Sequence, residues 1–210
     1  HTRYWLVTGV QTCALPIQSM GEKTAIYSSI EHLLSWDQET YMPSGAIEFR
    51  EEQMALMAEA IHKAKTSKKC KNTLAKIIDP TTGQSSGDLN VFQSKAAELW
   101  YDNWQKDAKR PLSFMTKKAR LAAQSVHAWS QAKSQDNFKK FSPFLQKTLT
   151  LARKEADLLG YEHHPYDALL DLYEPGLRIA TLEPLFTDLK TALQDLLQKI
   201  SRAKAPDPLK

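Results

Sequence analysis

The sequence predicts an all-α fold of long antiparallel helices joined by short loops. Two observations carry that prediction. From Gln18 onward the apolar residues recur at three- and four-residue steps, the period of a helix rather than of a strand. The runs are separated by Pro, Gly, Asp and Ser breaks, and no convincing strand is found in residues 18–210. Antiparallel packing through short connections is the usual arrangement of such a chain.

Ile26, Ile30 and Leu33 form the first apolar stripe. After the Pro43-Ser44-Gly45 break, Ile47, Met54, Met57 and Ile61 form a second. Residues 68–78 read as a short third helix with Ser67 as its N-cap. Residues 79–87, rich in Gly, Ser and Thr, are the clearest loop. A fourth helix follows on Leu89, Phe92, Ala96, Leu99 and Asn103, with Trp100 and Trp104 on its flank, and Arg110-Pro111 ends it. Met115, Ala119, Ala122, Val126 and Trp129 mark the fifth. The sixth is the most regular, on Phe138, Phe141, Leu145, Leu149, Ala152, Ala156 and Leu159. A parallel row of Phe144, Leu151 and Leu158 predicts burial over a wide face before Gly160 stops it. Pro165 opens a short helix that Pro175-Gly176 closes. A long last helix, capped by Thr181, carries Leu182, Leu185, Phe186, Leu189, Leu193, Leu196, Leu197 and Ile200.

Composition narrows the function classes. The chain has 210 residues, 42% of them apolar and 25% charged, with ten Pro, two Cys and a formal charge of +4. Collagen, a disulfide scaffold, a disordered tail and a membrane bundle are excluded. No apolar run reaches the ~20 residues of a bilayer span, so no membrane partner is expected. The charge is too small for a dedicated nucleic-acid binder.

The first seventeen residues differ from the rest. They carry one charge, Arg3, no initiator Met, and none of the order of a signal peptide. Residues 4–10 are β-branched and aromatic enough for a strand. Residues 7–17 also read as the translation of eleven consecutive codons resembling a common short-read sequencing adapter. Residues 1–17 are therefore expected to be foreign, with the helical protein in 18–210. Their removal leaves 27 basic and 24 acidic residues, a net +3 over 193 positions, and Cys70 as the one cysteine. A single cysteine suits a reducing cytosol, so a cytoplasmic location is expected. Lys68, Lys69 and Lys71 beside Cys70 favour a lowered thiol pKa. With no base evident nearby, an incidental surface thiol is the expectation.

Two constellations bear on chemistry. Asp37 lies four residues after Leu33, on the first apolar stripe, where a carboxylate needs a partner. It either orients a partner across a cleft or is structural, pairing with an arginine such as Arg50 or capping a neighbouring helix. His163, Asp167 and Asp171 are spaced by four, as a helical metal face would be. Pro165, however, leaves the histidine in the preceding loop, and the helix dipole accounts for Asp167. His32, His62 and His127 read as helix-flank residues. Lys63, Lys65, Lys68, Lys69 and Lys71 read as a solvated face, with no aromatic interleaving for base stacking.

Three stretches together resemble the carboxypeptidase Taq family of metallocarboxypeptidases. The first is Leu33-Leu34-Ser35-Trp36-Asp37-Gln38-Glu39-Thr40-Tyr41-Met42-Pro43, then Gly45-Ala46 and the helix with Arg50, Glu52 and Gln53. The second runs from Ala128-Trp129 to Asp136-Asn137-Phe138, Phe141, Pro143 and Leu145. The third is Tyr166-Asp167-Ala168-Leu169-Leu170-Asp171 followed by Tyr173-Glu174-Pro175-Gly176. The similarity extends from about residue 25 to about residue 197.

The resemblance implies a metal-dependent exopeptidase that removes C-terminal residues from peptide substrates with broad specificity, usually as a homodimer. It implies a zinc or cobalt ion held by an H-E-x-x-H helix and a later Glu, with the motif's Glu as general base. This sequence holds no H-E-x-x-H, so no catalytic or metal residue is carried over. The expectation is an N-terminal fragment, cut before the metal site. Its helices would form one wall of the substrate groove, with Trp36, Asp37 and Glu39 at the wall's edge. A non-catalytic helical interaction module is the alternative. Uncovered stripes in residues 138–159 and 182–200 would make such a chain self-associate.

Overall fold

Local signals set most of the helix boundaries. The computed structural model describes residues 14–85 and 89–203, with side chains from Gly21 onward. Within them lie α1 (Ala14–Thr40), α2 (Ile47–Thr66), α3 (Lys68–Leu74), α4 (Val91–Lys109), α5 (Leu112–Ser134), α6 (Phe138–Leu159), α7 (Pro165–Leu170) and α8 (Ile179–Arg202). A short 3-10 turn, Ser44–Ala46, leads into α2. The described residues contain no strand, only an isolated antiparallel bridge between Ile78 and Ser85 across the loop after α3. The all-α class is therefore as the sequence predicts. Residues 1–13, with the strand alternative at 4–10, lie outside the described residues, as do 86–88.

Ser67 caps α3 by accepting from the Cys70 amide at 3.2 Å. Asn90 and Gln93 begin α4 with a reciprocal capping box, at 3.0 and 2.9 Å. Gly160, at φ +83, ends α6 in the left-handed conformation that glycine adopts without strain. Pro165 takes the first position of α7, and His164 Nδ1 accepts from the Tyr166 amide at 3.1 Å. Three boundaries differ from expectation. α3 stops at Leu74, short of the expected end at residue 78. α7 stops at Leu170, five residues before Pro175. Thr181 lies inside α8, whose first amide, on Ile179, instead donates to Asp167 Oδ1 at 2.7 Å. A carboxylate twelve residues upstream took the role assigned to the local threonine.

The chain divides into two compact units, residues 1–151 and 152–210, with the division inside α6. In the first, α2 is the central helix and packs mainly on α5 and α1. Met54, Ala55 and Ala58 of α2 are buried, as are Phe114, Leu121, Ala123 and Ala132 of α5. Ile77 and Ile78 pack on Ala97 of α4, with Leu89 and Tyr101 at the margin. In the second unit, Ala156 and Leu159 of α6 pack on Ala168 of α7, flanked by Leu169 and Leu172.

The helical period is right throughout, but the packed face is often another one. On α4 the residues turned inward are Ala97, Trp100, Tyr101, Trp104 and Asp107, whereas Phe92 is 80% exposed. On α5 the packed row is Phe114, Leu121 and Ala132, and Val126 and Trp129 face solvent. Each is about one residue, or ~100°, from the expected stripe. α1 packs through Thr24, Ser28, Glu31, Ser35 and Gln38 and leaves Ile26, Ile30 and Leu33 exposed. Small and polar residues let helices approach closely, so the bulky apolar row takes the outer side. The wide burial expected of α6 holds only for its C-terminal half, from Leu151 to Leu159; Phe138 and Leu149 are exposed. No residue of α8 is buried.

Cys70 also departs from expectation. It is 1% exposed, on the inner face of α3 one turn before Leu74. Burial pushes its thiol pKa up, and the Asp107 carboxylate adds to the effect, so the neighbouring lysines do not activate it.

Candidate functional site

The segment Trp36-Asp37-Gln38-Glu39-Thr40 occupies the last turn of α1, and an arginine from α2 holds it. Arg50 is buried, and its guanidinium reaches three acceptors. Nη1 donates to the Leu34 carbonyl, Nη2 to Asp37 Oδ2 at 2.5 Å, and Nε to Gln53 Oε1 at 2.9 Å. A planar cation with donors in a fixed fork suits a helix C-terminus, whose last carbonyls are unpaired and carry the negative end of the dipole. The amides of Tyr41 and Met42 both donate to the Asp37 carbonyl at 2.9 Å, which tightens the end of the helix. Pro43 is then extended and the chain turns into α2.

This arrangement sorts the three residues singled out by the sequence. Asp37 is half-buried and pairs with Arg50, the structural alternative. Trp36 and Glu39 face solvent. Trp36 makes an edge-to-face contact with Tyr41, ring centroids 5.3 Å apart. The turn therefore presents two exposed aromatic rings on a base fixed by an ion pair.

Three further ties hold α5 to α1 and α2. Gln38 Nε2 donates to the Ala123 carbonyl at 2.9 Å, and Gln124 Nε2 to Glu51 Oε2 at 2.6 Å. Arg120 makes a bidentate pair with Glu52, at 2.9 and 2.8 Å. Hydrogen bonding from Arg120 lowers the Glu52 carboxyl pKa below its ordinary value, and Glu52 raises that of Arg120. The sequence reading placed Gln38, Arg50 and Glu52 in the matching segment without a partner on α5, and missed Arg120 and Gln124. The available signal was a polar row at helical spacing on α1, from Thr24 to Gln38.

At the other end of α2, His62 Nε2 contacts the carbonyls of Arg110 and Asp107, at 2.8 and 3.2 Å. Asp107 is buried, pairs with Arg110, and lies 3.6 Å from Lys65. Lys65 thus leaves the solvated lysine face to which the sequence assigned it. Glu31 on α1 is half-buried, and burial raises its carboxyl pKa against the opposing pull of His32 and Lys65.

In the second unit, Asp167 is buried and accepts from the Ile179 amide, while Asp171 Oδ1 accepts from the Gly176 amide at 2.8 Å. His163 is exposed, with its Nε2 3.9 Å from Glu162 Oε2. Both aspartates hold the turn into α8, so the helical metal face does not form. Among the described residues no three His, Cys, Asp or Glu side chains gather as a metal centre requires. The residues present do not fit the metal that the resemblance implies. No helix among them is long and apolar enough to cross a membrane.

Comparison with known proteins places this geometry. Residues 16–209 match the family model for carboxypeptidase Taq (M32) metallopeptidases. Carboxypeptidase 1 of Bacillus subtilis is 30% identical over 175 residues, covering 83% of this chain and 34% of that protein. Thermostable carboxypeptidase 1 of Pyrococcus furiosus is 32% identical over 170 residues, covering 81% of this chain and 33% of the other. A solved structure of the Pyrococcus furiosus carboxypeptidase superposes with a TM-score of 0.73 at 30% identity, over 93% of this chain and 38% of its own. The chain spans about a third of the length of the curated relatives it matches.

Proposed function

This chain belongs to the carboxypeptidase Taq (M32) metallopeptidase family, and from that premise we propose that residues 18–210 are the N-terminal helical part of a metal-dependent carboxypeptidase. Its substrates are peptides, from which it releases C-terminal residues with broad specificity. The observation that carries the reading is a family match over nearly the whole chain that spans only a third of the relatives. The outward apolar rows on α1, α4, α5 and α8 support it, because they offer the surface on which further helices of the same protein would pack. Residues 1–17 are read as foreign to the enzyme.

The turn at the end of α1 is read as part of the groove wall. Trp36 and Glu39 lie on its open side, and Asp37 acts from behind, with Arg50 holding the turn in place. The zinc or cobalt ion belongs to an H-E-x-x-H helix beyond this stretch, and the whole enzyme is read as a cytoplasmic homodimer with no nucleic-acid partner. Two measurements test the proposal. The coding sequence after Lys210, read from independently amplified source DNA, is expected to encode an H-E-x-x-H followed by a Glu. A stop codon there favours the interaction module. The 210-residue chain alone is expected to release no C-terminal residue from an N-blocked peptide and to hold only background metal after dialysis. Release of that residue, or stoichiometric metal, contradicts the assignment.

A further inference from the structure

The apolar residues of α8 have a finer pattern than a simple stripe. Leu182, Phe186, Leu189, Leu193, Leu196 and Ile200 follow one another at steps of four, three, four, three and four residues. That alternation is the seam of a coiled coil, in which one helix seats its side chains between those of another. Five of the six are open, from 46% exposed at Leu193 to 60% at Ile200, and Leu185 and Leu197 beside them are open as well. The opposite face asks for no partner: the hydroxyls of Thr187 and Thr191 donate to carbonyls of their own helix at 2.7 and 3.0 Å. A helix with no buried residue is marginal in water, so α8 takes its stability from whatever covers this seam.

The charges of α8 select the cover. In its first half Glu183 and Asp188 outnumber Lys190, and in its second half Lys199 and Arg202 outnumber Asp195. The helix is therefore complementary to its own reverse, and an antiparallel pair also sets the two helix dipoles favourably against each other. Turned about a two-fold axis near Thr191, the seam closes on itself in layers. Leu182 meets the partner's Ile200, Phe186 the partner's Leu196, and Leu189 the partner's Leu193. Covering seven half-open apolar side chains removes on the order of 600 Å² per copy, about 1,200 Å² in all, the lower end for a stable interface.

We propose that this face is the interface of an antiparallel homodimer, in which α8 of one copy covers α8 of the other. The pairing belongs to the 210-residue chain and holds whether or not that chain is part of a carboxypeptidase.

Sedimentation equilibrium of the 210-residue chain at low salt is expected to show monomer and dimer exchanging in the micromolar range. Leu193→Lys, in the central layers, should weaken the dimer at least tenfold. Phe92→Lys, on the open row of α4, should leave it unchanged. Glu183→Lys with Asp188→Lys makes both halves of α8 basic and should weaken the dimer at least tenfold, as should Lys199→Glu with Arg202→Glu, which makes both acidic. An equimolar mixture of these two double variants should recover dimers, which also shows that both helices are intact. The two Lys190 ammonium groups meet near the axis, so Lys190→Gln should tighten the pair. A monomer at every concentration overturns the proposal and gives the seam to a helix outside this chain. A dimer indifferent to Leu193→Lys, which uses another face, overturns it too, as does one indifferent to the charge reversals, which is not antiparallel.

Discussion

α2 and α8 are of similar length, 20 and 24 residues, and use their sequences in opposite ways. α8 carries an unbroken leucine row and buries none of it. α2 has the weaker apolar pattern, yet it is the helix on which the first unit is built. Its neighbours are held by Arg50, Glu51, Glu52 and His62 as well as by Met54, Ala55 and Ala58. A strong apolar stripe records what a helix packs against somewhere; it does not say that the partner lies in the same stretch of chain. Polar residues repeating at the helical period are the better mark of an interface made here.

Matched leucine truncations test this contrast most strongly. Leu74 is 1% exposed, so Leu74→Ala should cost ~2–5 kcal/mol in urea unfolding through lost burial and a residual cavity. Leu193 is 46% exposed, and Leu193→Ala should stay within about 0.5 kcal/mol at protein concentrations low enough to keep the chain monomeric. Equal losses at that dilution would mean that α8 packs within the chain itself. Sedimentation of the unsubstituted chain should show self-association through the uncovered stripe, and a monodisperse monomer would break that half of the comparison.

Arg50→Met comes next. It leaves the Leu34 carbonyl and the half-buried Asp37 carboxylate without their donor, at ~1.5–3 kcal/mol, the usual size for hydrogen bonds to a charged group. Arg50→Lys should recover only part, because one ammonium cannot reproduce a fork directed at three acceptors. Full recovery would show that charge alone holds the turn.

How far each feature was legible depends on whether its cause is local. Ser67, Gly160 and Pro165 act within a turn or two of themselves, and the sequence placed them correctly. The pairing of Asp37 with Arg50 was one of two stated options, thirteen residues apart on adjoining helices. The packed faces of α1, α4 and α5 were not legible. Each helix has two candidate sides, and only tertiary contacts choose between them. Thr181 gave way to Asp167, and buried Cys70 contradicted its lysine-rich surroundings, for the same reason: the deciding partner lay elsewhere in the fold.

A smaller effect separates two acids of the first unit. Burial raises the Glu31 pKa, so the folded state keeps a proton that the unfolded chain has released. Stability therefore falls as pH rises from the ordinary carboxylate range through the folded pKa, and the penalty is complete above it. Glu31→Gln should accordingly raise the urea midpoint at pH 7, with the gain vanishing in acid. A lower midpoint at pH 7 would show that Glu31's attraction to Lys65 outweighs its desolvation.

Glu52 should behave in the opposite sense and by the least amount. Hydrogen bonding from Arg120 holds its pKa down, so the unfolded chain binds the proton first as pH falls. The pair's contribution is present above the unfolded pKa and is lost as pH drops through the folded one. Both groups are exposed, so Glu52→Gln should lower the urea midpoint only slightly at pH 7, and not at all once acid has discharged the carboxylate. Salt at 1 M, where screening acts within about 3 Å, should shrink the neutral-pH difference as well. A difference that survives both acid and salt would mean that the bidentate geometry, rather than the charge, ties α5 to α2. The polar contacts of α2 would then be as much a part of its packing as the methionine and alanines beneath them.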